Sequence, residues 1–243
     1  MGETRSHSGF TQPNIASLVA VCALLLLCTT LLPTASHAMN TDESALMQRL
    51  PVALKITATQ ARNRIRHWQT FVEDVRHKSE MDKLVAVNHY FNTLRFIEDV
   101  KLWHQPDYWA TPLQVLAVGA GDCEDLAIAK YFTLRTLGVT NERLRITYVW
   151  NHDALSGRRL PHMVLTYIAS ADADPLVLDI ITLDIQSLSQ RKDLEPVYSI
   201  NSEGLWLVAD NARAISAGSP AQLSQWRQLS LDMEGDTALL EIQ

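Results

Sequence analysis

Residues 123 to 137 read Cys-Glu-Asp-Leu-Ala-Ile-Ala-Lys-Tyr-Phe-Thr-Leu-Arg-Thr-Leu. Beyond its first turn this segment is apolar on most sides, so as a helix it must be surrounded, not laid on a surface. Gly119 and Gly121 precede it, and Gly138 supplies a C-terminal cap. Upstream, Ala61, Ile65, Trp68, Val72 and Val75 recur at steps of four and three, one helical face. Leu84, Val87, Phe91, Leu94 and Ile97 continue the pattern and predict a second helix over about 80 to 100. A lead-in from Asn40 to about Lys55 with room for a short helix comes before them. A loop with Trp103, Pro106, Trp109 and Pro112 follows.

After Gly138 the pattern changes. Leu144–Trp150, Met163–Ile168, Leu176–Ile181 and Leu205–Val208 are short and rich in β-branched or aromatic residues, the signature of strands. The polar loops between them are short, which favours antiparallel neighbours. A short helix around Pro220–Leu231 closes the chain. The expected class is α+β: helices first, then an antiparallel sheet packed on the Cys123 helix.

The chain has 243 residues, 47% of them hydrophobic, enough for one ordinary domain with a sizeable core. Net charge is −6 and no basic run is present, which argues against nucleic-acid binding. Ile15–Leu32 is apolar apart from Ser17, Thr29 and Thr30, and Ser36 and Ala38 are small residues where a signal peptidase reads. Residues 1–38 are therefore expected to be a secretory signal, leaving residues 39–243 as one exported domain. The alternative is an uncleaved membrane anchor, since the run is about long enough to span a bilayer. Leu27 before Cys28 fits a lipoprotein site poorly. Cys22 and Cys28 lie within the signal, so Cys123 is the one thiol left after cleavage. In an oxidising compartment an odd cysteine is either buried or put to chemical use.

Asp122 is a good N-cap residue and places Cys123 at the first helical position. Unpaired backbone N–H groups and the helix dipole there favour a thiolate. The base is His152 or His162. His152 reads as a solvated surface residue. His162 opens the apolar strand Met163–Tyr167. Asp179 stands inside Leu176–Ile181, where a carboxylate is costly unless paired. A hairpin with His162 directly opposite Asp179 would centre between Ser170 and Ala171 and bring the two together. Asp184 could pair in another register but ends the run. The expected constellation is Cys123, His162 and Asp179.

Asp122, Glu124 and Asp125 crowd the nucleophile and oppose its ionisation. Two readings stand side by side. Either Asp122 and Asp125 cap the helix, or a hard cation such as calcium neutralises the cluster.

Tyr108-Trp109-Ala110-Thr111-Pro112, followed by Gly121–Tyr131, resembles the bacterial transglutaminase-like cysteine proteinases. His162-Met163-Val164-Leu165 and Pro175–Asp179 match the family's later motifs in order, with Ile180 a departure from the polar residue expected there. The resemblance implies a papain-like or transglutaminase-like core, with Cys123 as nucleophile, His162 as base and Asp179 as orienter. It implies a Ca2+ requirement, with Asp122, Glu124 and Asp125 as ligands; Asn141 and Glu142 are further candidates. It also implies a periplasmic protease that cuts a large surface adhesin near its N-terminal end at an Ala-Ala bond, releasing the cell from its biofilm. A LapD-type inner-membrane receptor would hold it inactive when cyclic-di-GMP is high. A transglutaminase or amidase on the same scaffold would use the same triad, and a non-enzymatic calcium-binding module would not need it. Trp109 is either a wall over the substrate or a core residue.

Overall fold

The computed structural model describes residues 47–50, 56–153, 156–208 and 214–240. The expected signal segment and most of the lead-in lie outside them. Helix α1 (Ala58–Val75) starts in a capping box: Gln60 N donates to Thr57 Oγ1, and Gln60 Oε1 accepts from Thr57 N. Helix α2 (Glu80–Asn92) starts at Ser79, whose hydroxyl accepts from Asp82 N.

The second helix ends at Asn92, not near residue 100. Its apolar period runs on through Leu94 and Ile97, but the backbone there is taken by a different partner. Strand β1 (Arg95–Phe96) pairs in parallel with β2 (Ala120–Gly121), and Ile97 N donates to Gly121 O at 3.1 Å. This pairing anchors the segment that leads into Cys123. A one-turn helix α3 (Asp99–Leu102) follows. The loop predicted around Pro112 is in part a helix, α4 (Pro112–Val118), started by a Thr111–Gln114 capping box with Pro112 in its first turn.

Helix α5 (Cys123–Thr136) occupies the centre, with Leu126, Ile128, Tyr131 and Leu134 buried, as its apolar circumference requires. Gly138, at φ 87°, ends it in the left-handed conformation that glycine adopts freely. Lys130 is buried within this helix and donates to Asn88 Oδ1 at 2.8 Å. Burial pulls its pKa down to about 7, against the opposing charge of Asp179.

One face of α5 packs on an antiparallel sheet. Its strands are β3 (Leu144–His152), β4 (Arg159–Tyr167), β5 (Leu176–Leu178), β6 (Gln186–Ser187), β7 (Leu194–Ile200), β8 (Leu205–Val208) and β9 (Ala214–Gly218). They lie in the order β6-β5-β4-β3-β7-β8-β9. Strand β7 is interior to the sheet, although its sequence does not predict a strand. Pro196 argues against one, and it is accommodated where the β3–β7 register shifts between Tyr148 and Val149. Helix α6 (Ser224–Leu240) closes the chain and buries Trp226.

Because Ile128 is fully buried between α5's neighbours, Ile128→Ala is expected to cost about 2–5 kcal/mol in urea unfolding. Leu231→Ala, at an exposed position of α6, is expected to change stability by no more than about 0.5 kcal/mol.

Candidate active site

Cys123 is the first residue of α5 and the free cysteine among the described residues. Its thiol donates to Glu124 Oε2 at 2.9 Å. It also lies against the backbone amide of Met163, the residue after His162. The thiol and the His162 strand therefore meet at this point.

His162 and Asp179 are both buried, and His162 Nε2 pairs with Asp179 Oδ1 at 2.8 Å. The register differs from the expected one. Leu165 opposes Leu178, so the pairing continued places Asp179 opposite Val164, and the contact with His162 is diagonal. A shift of two residues keeps the carboxylate on the same face; a shift of one would have removed it. Asp179 Oδ2 accepts from Arg191 Nη2 at 2.6 Å, and Oδ1 accepts from the backbone N–H of Ile180 and of Ile181. Ile180 thus serves Asp179 through its amide, so the polar side chain expected there is not needed for this contact. Burial alone would raise the Asp179 pKa, but the His162 and Arg191 contacts outweigh it and hold the carboxyl well below its usual range. Arg191 carried no sequence signal beyond its charge. His152 is an exposed residue paired with Glu195, and Asp184 is exposed.

The acidic residues around Cys123 do not cap the helix. Asp122 occupies the N-cap position but makes no side-chain cap bond. Asp125 accepts from Ala110 N at 2.7 Å and from Trp103 Nε1 at 3.3 Å. A Cβ on Gly121 would come within 2.7 Å of the Asp125 Cβ, so this close approach requires glycine. Two further carboxylates join the cluster: Asp99 from α3 and Asp107 from the loop after it. Oxygens of Asp99, Asp107 and Glu124 lie within 4.8 Å of one another, as do those of Asp99, Asp122 and Asp125. Nothing in the sequence linked Asp99 or Asp107 to Cys123, since they are brought there by the β1–β2 pairing and the loop fold. Asn141 and Glu142 are not part of it. They lie beyond the far end of the 14-residue α5, about 20 Å along the helix, and Asn141 accepts from Tyr131 OH instead. Trp109 is a buried core residue whose Nε1 donates to Asp107 Oδ1 at 3.2 Å.

The electrostatics follow from burial. It pushes Asp99 up to about 7 and Asp122 up to about 8, each raised further by neighbouring carboxylates. Asp125 is pushed well above its usual range by burial and then by Asp122 and Asp99. Burial and Glu124 push the Cys123 thiol well up. Asp99 Oδ1 and Asp122 Oδ1 are buried without a partner. A set of carboxylate oxygens with orphaned acceptors fits a hard divalent cation.

Cys123 at the start of α5 thus meets the strand whose His162 is paired with Asp179, residue types that a thiol hydrolase uses. Residues 57–195 match the family model of the bacterial transglutaminase-like cysteine proteinases, and the chain belongs to that family. Solved structures of Legionella pneumophila LapG are similar. The EGTA-treated form is 32% identical with TM-score 0.63, covering 80% of this chain and 97% of that one. The calcium-bound form is 33% identical with TM-score 0.62, covering 80% and 98%. No curated protein matches the chain. Among the described residues, no helix is long and apolar enough to cross a membrane.

With no cation bound, folded Asp99 and Asp122 keep protons that an unfolded chain releases near pH 4. Stability is then expected to fall as pH rises from about 4 to about 8. Calcium chloride at a hundred times its dissociation constant is expected to raise the melting temperature by about 5–10 °C at pH 8, and by less at pH 5. Equal shifts at both pH values in differential scanning calorimetry would contradict the assignment.

Proposed function

We propose that this chain is a calcium-dependent cysteine endopeptidase of the periplasm, with Cys123 as nucleophile, His162 as base and Asp179 as orienter. The observation that carries the reading is the buried His162–Asp179 pair at 2.8 Å, on the strand that meets the Cys123 thiol, in a family of cysteine proteinases. With Nε2 held by Asp179, Nδ1 is the ring nitrogen left to take the thiol proton. Sulfur then bonds to the scissile carbonyl carbon, and the backbone N–H at the start of α5 favours the oxyanion. The imidazolium returns its proton to the leaving amine as the C–N bond breaks. Water, deprotonated by His162, releases the acyl group and restores the thiol.

The carboxylates that could hold calcium are Asp99, Asp107, Asp122, Glu124 and Asp125; of these, Asp125 already accepts hydrogen bonds at both oxygens from Ala110 and Trp103. When bound, the ion would offset the negative charge that keeps Cys123 protonated. It would also draw Glu124 away from the thiol. A calcium-bound LapG among the similar structures supports the choice of ion. On the same family ground, the substrate is the N-terminal region of a large surface adhesin, cut at an Ala-Ala bond to release the cell from its biofilm. Control by a LapD-type cyclic-di-GMP receptor belongs to the same reading.

Purified protein incubated with an adhesin N-terminal fragment tests this. New peptide termini are expected, with cleavage abolished by EGTA and by Cys123→Ala, and reduced about a hundredfold to ten-thousandfold by Asp179→Asn. Cleavage retained in Cys123→Ala would remove the nucleophile. Cleavage indifferent to EGTA would remove the metal, and an amine-linked product would favour acyl transfer instead.

A further inference from the structure

The sheet carries an apolar row that begins at the nucleophile and leads away from it. Met163, whose amide lies against Cys123, is directly opposite Tyr148 across β4 and β3. Tyr148 is opposite Tyr198 across β3 and β7. Tyr198 is opposite Leu207 on β8, and Leu207 is opposite Ile215 on β9. Residues directly opposed in a sheet share a face, so these side chains form one line perpendicular to the strands.

The line passes from buried to open. Met163 is 5% exposed, and Tyr148 and Tyr198 are half-buried with their rings parallel, 5.2 Å apart. Leu207 is 52% and Ile215 54% exposed. Elsewhere on this face, Ile146, Leu165, Leu205 and Ile200 are covered. The row is the uncovered end of the face that packs on α5, and side chains left open to solvent at such an end are normally polar. Here they are apolar, and they are continuous with the thiol.

We infer that Tyr148, Tyr198, Leu207 and Ile215 form the track that holds the substrate polypeptide on one side of the scissile bond, selecting apolar side chains there. The inference rests on Cys123 being the nucleophile. From Tyr148 to Ile215 the track crosses three strand spacings, roughly 14 Å, which is about four residues of extended chain. Alternate side chains of such a peptide point the same way, so two of the four would meet the track. The peptide crosses the strands instead of adding to them, so side-chain contacts carry the selectivity. The exposed ends, two half-exposed aliphatic side chains, are far smaller than the roughly 800 Å² per partner of a stable dimer. A peptide is therefore the occupant that fits, and a second copy is not.

The test separates binding from chemistry. Full-length Cys123→Ala protein with calcium is mixed with a library of unstructured peptides digested from a bacterial proteome, and the retained peptides are sequenced by mass spectrometry. Retained peptides are expected to carry Leu, Ile, Val or aromatic residues at two alternate positions. In the same protein with Leu207→Glu and Ile215→Glu added, that preference is expected to disappear and retention to fall about tenfold. Leu231→Glu, exposed on α6 and off the track, is expected to retain the same peptides as the parent. Identical peptides retained with and without the two glutamates would overturn the track. So would a dimer in light scattering that the glutamates dissociate. Iodoacetamide labelling of Cys123 in the same substitutions on the native cysteine background reports folding, and is expected at the parent rate. Failure of the nucleophile reads out separately, as cleavage by Cys123→Ala equal to that of the unmodified protein.

Discussion

Asp125 is fully buried in the first turn of the central helix, and the loop before it is organised around its carboxylate. Its two oxygens hold the backbone of Ala110 and the indole of Trp103, and its Cβ occupies space that only glycine at 121 leaves free. These contacts fix the segment between α3 and α4 against the start of α5. Asp107, carried by that segment, and Asp99, at the start of α3 just before it, are thereby brought to Asp122 and Glu124. The neighbouring thiol inherits the resulting field.

That field explains why two opposite demands meet at Cys123. A helix N-terminus favours a thiolate by a fraction of a kcal/mol to about 2 kcal/mol. Burial and adjacent carboxylates work the other way and hold the proton on sulfur. The opposing carboxylates next to the thiol are Glu124 and Asp122, and a cation bound between them would offset their charge. The His162–Asp179 pair is differently supported. Arg191 and two backbone amides keep Asp179 ionised despite its burial, so the orienter stays an acceptor whatever the state of the acidic cluster.

Much of this was legible in the residues. The helical face of Ala61 to Val75, the all-round apolar character of 126 to 137 and the strand runs after 144 each reflect a local period that packing reinforced. Where expectation failed, a distant partner had overridden the local signal. Leu94 and Ile97 keep the helical period, but β2 claims the backbone of Arg95 and Phe96. Pro196 reads as a strand breaker, but a register shift against β3 absorbs it. Thr111-Pro112-Leu113-Gln114 carries a capping box within a Pro- and Trp-rich loop pattern, and the capping box prevails as the start of α4.

The sequence alone determined the buried central helix, its glycine boundaries, the one thiol at its start, and the family whose motifs surround that thiol. Each depends on residue type and spacing within a few turns or strands. Only the tertiary structure decided that Asp99 and Asp107 belong with Asp122 and Glu124, that Asn141 does not, and that Asp179 reaches His162 diagonally with Arg191 behind it. Those groupings join residues far apart in the chain. They are set by strand register and by the path of the loop that Asp125 holds, neither of which leaves a local trace in the sequence.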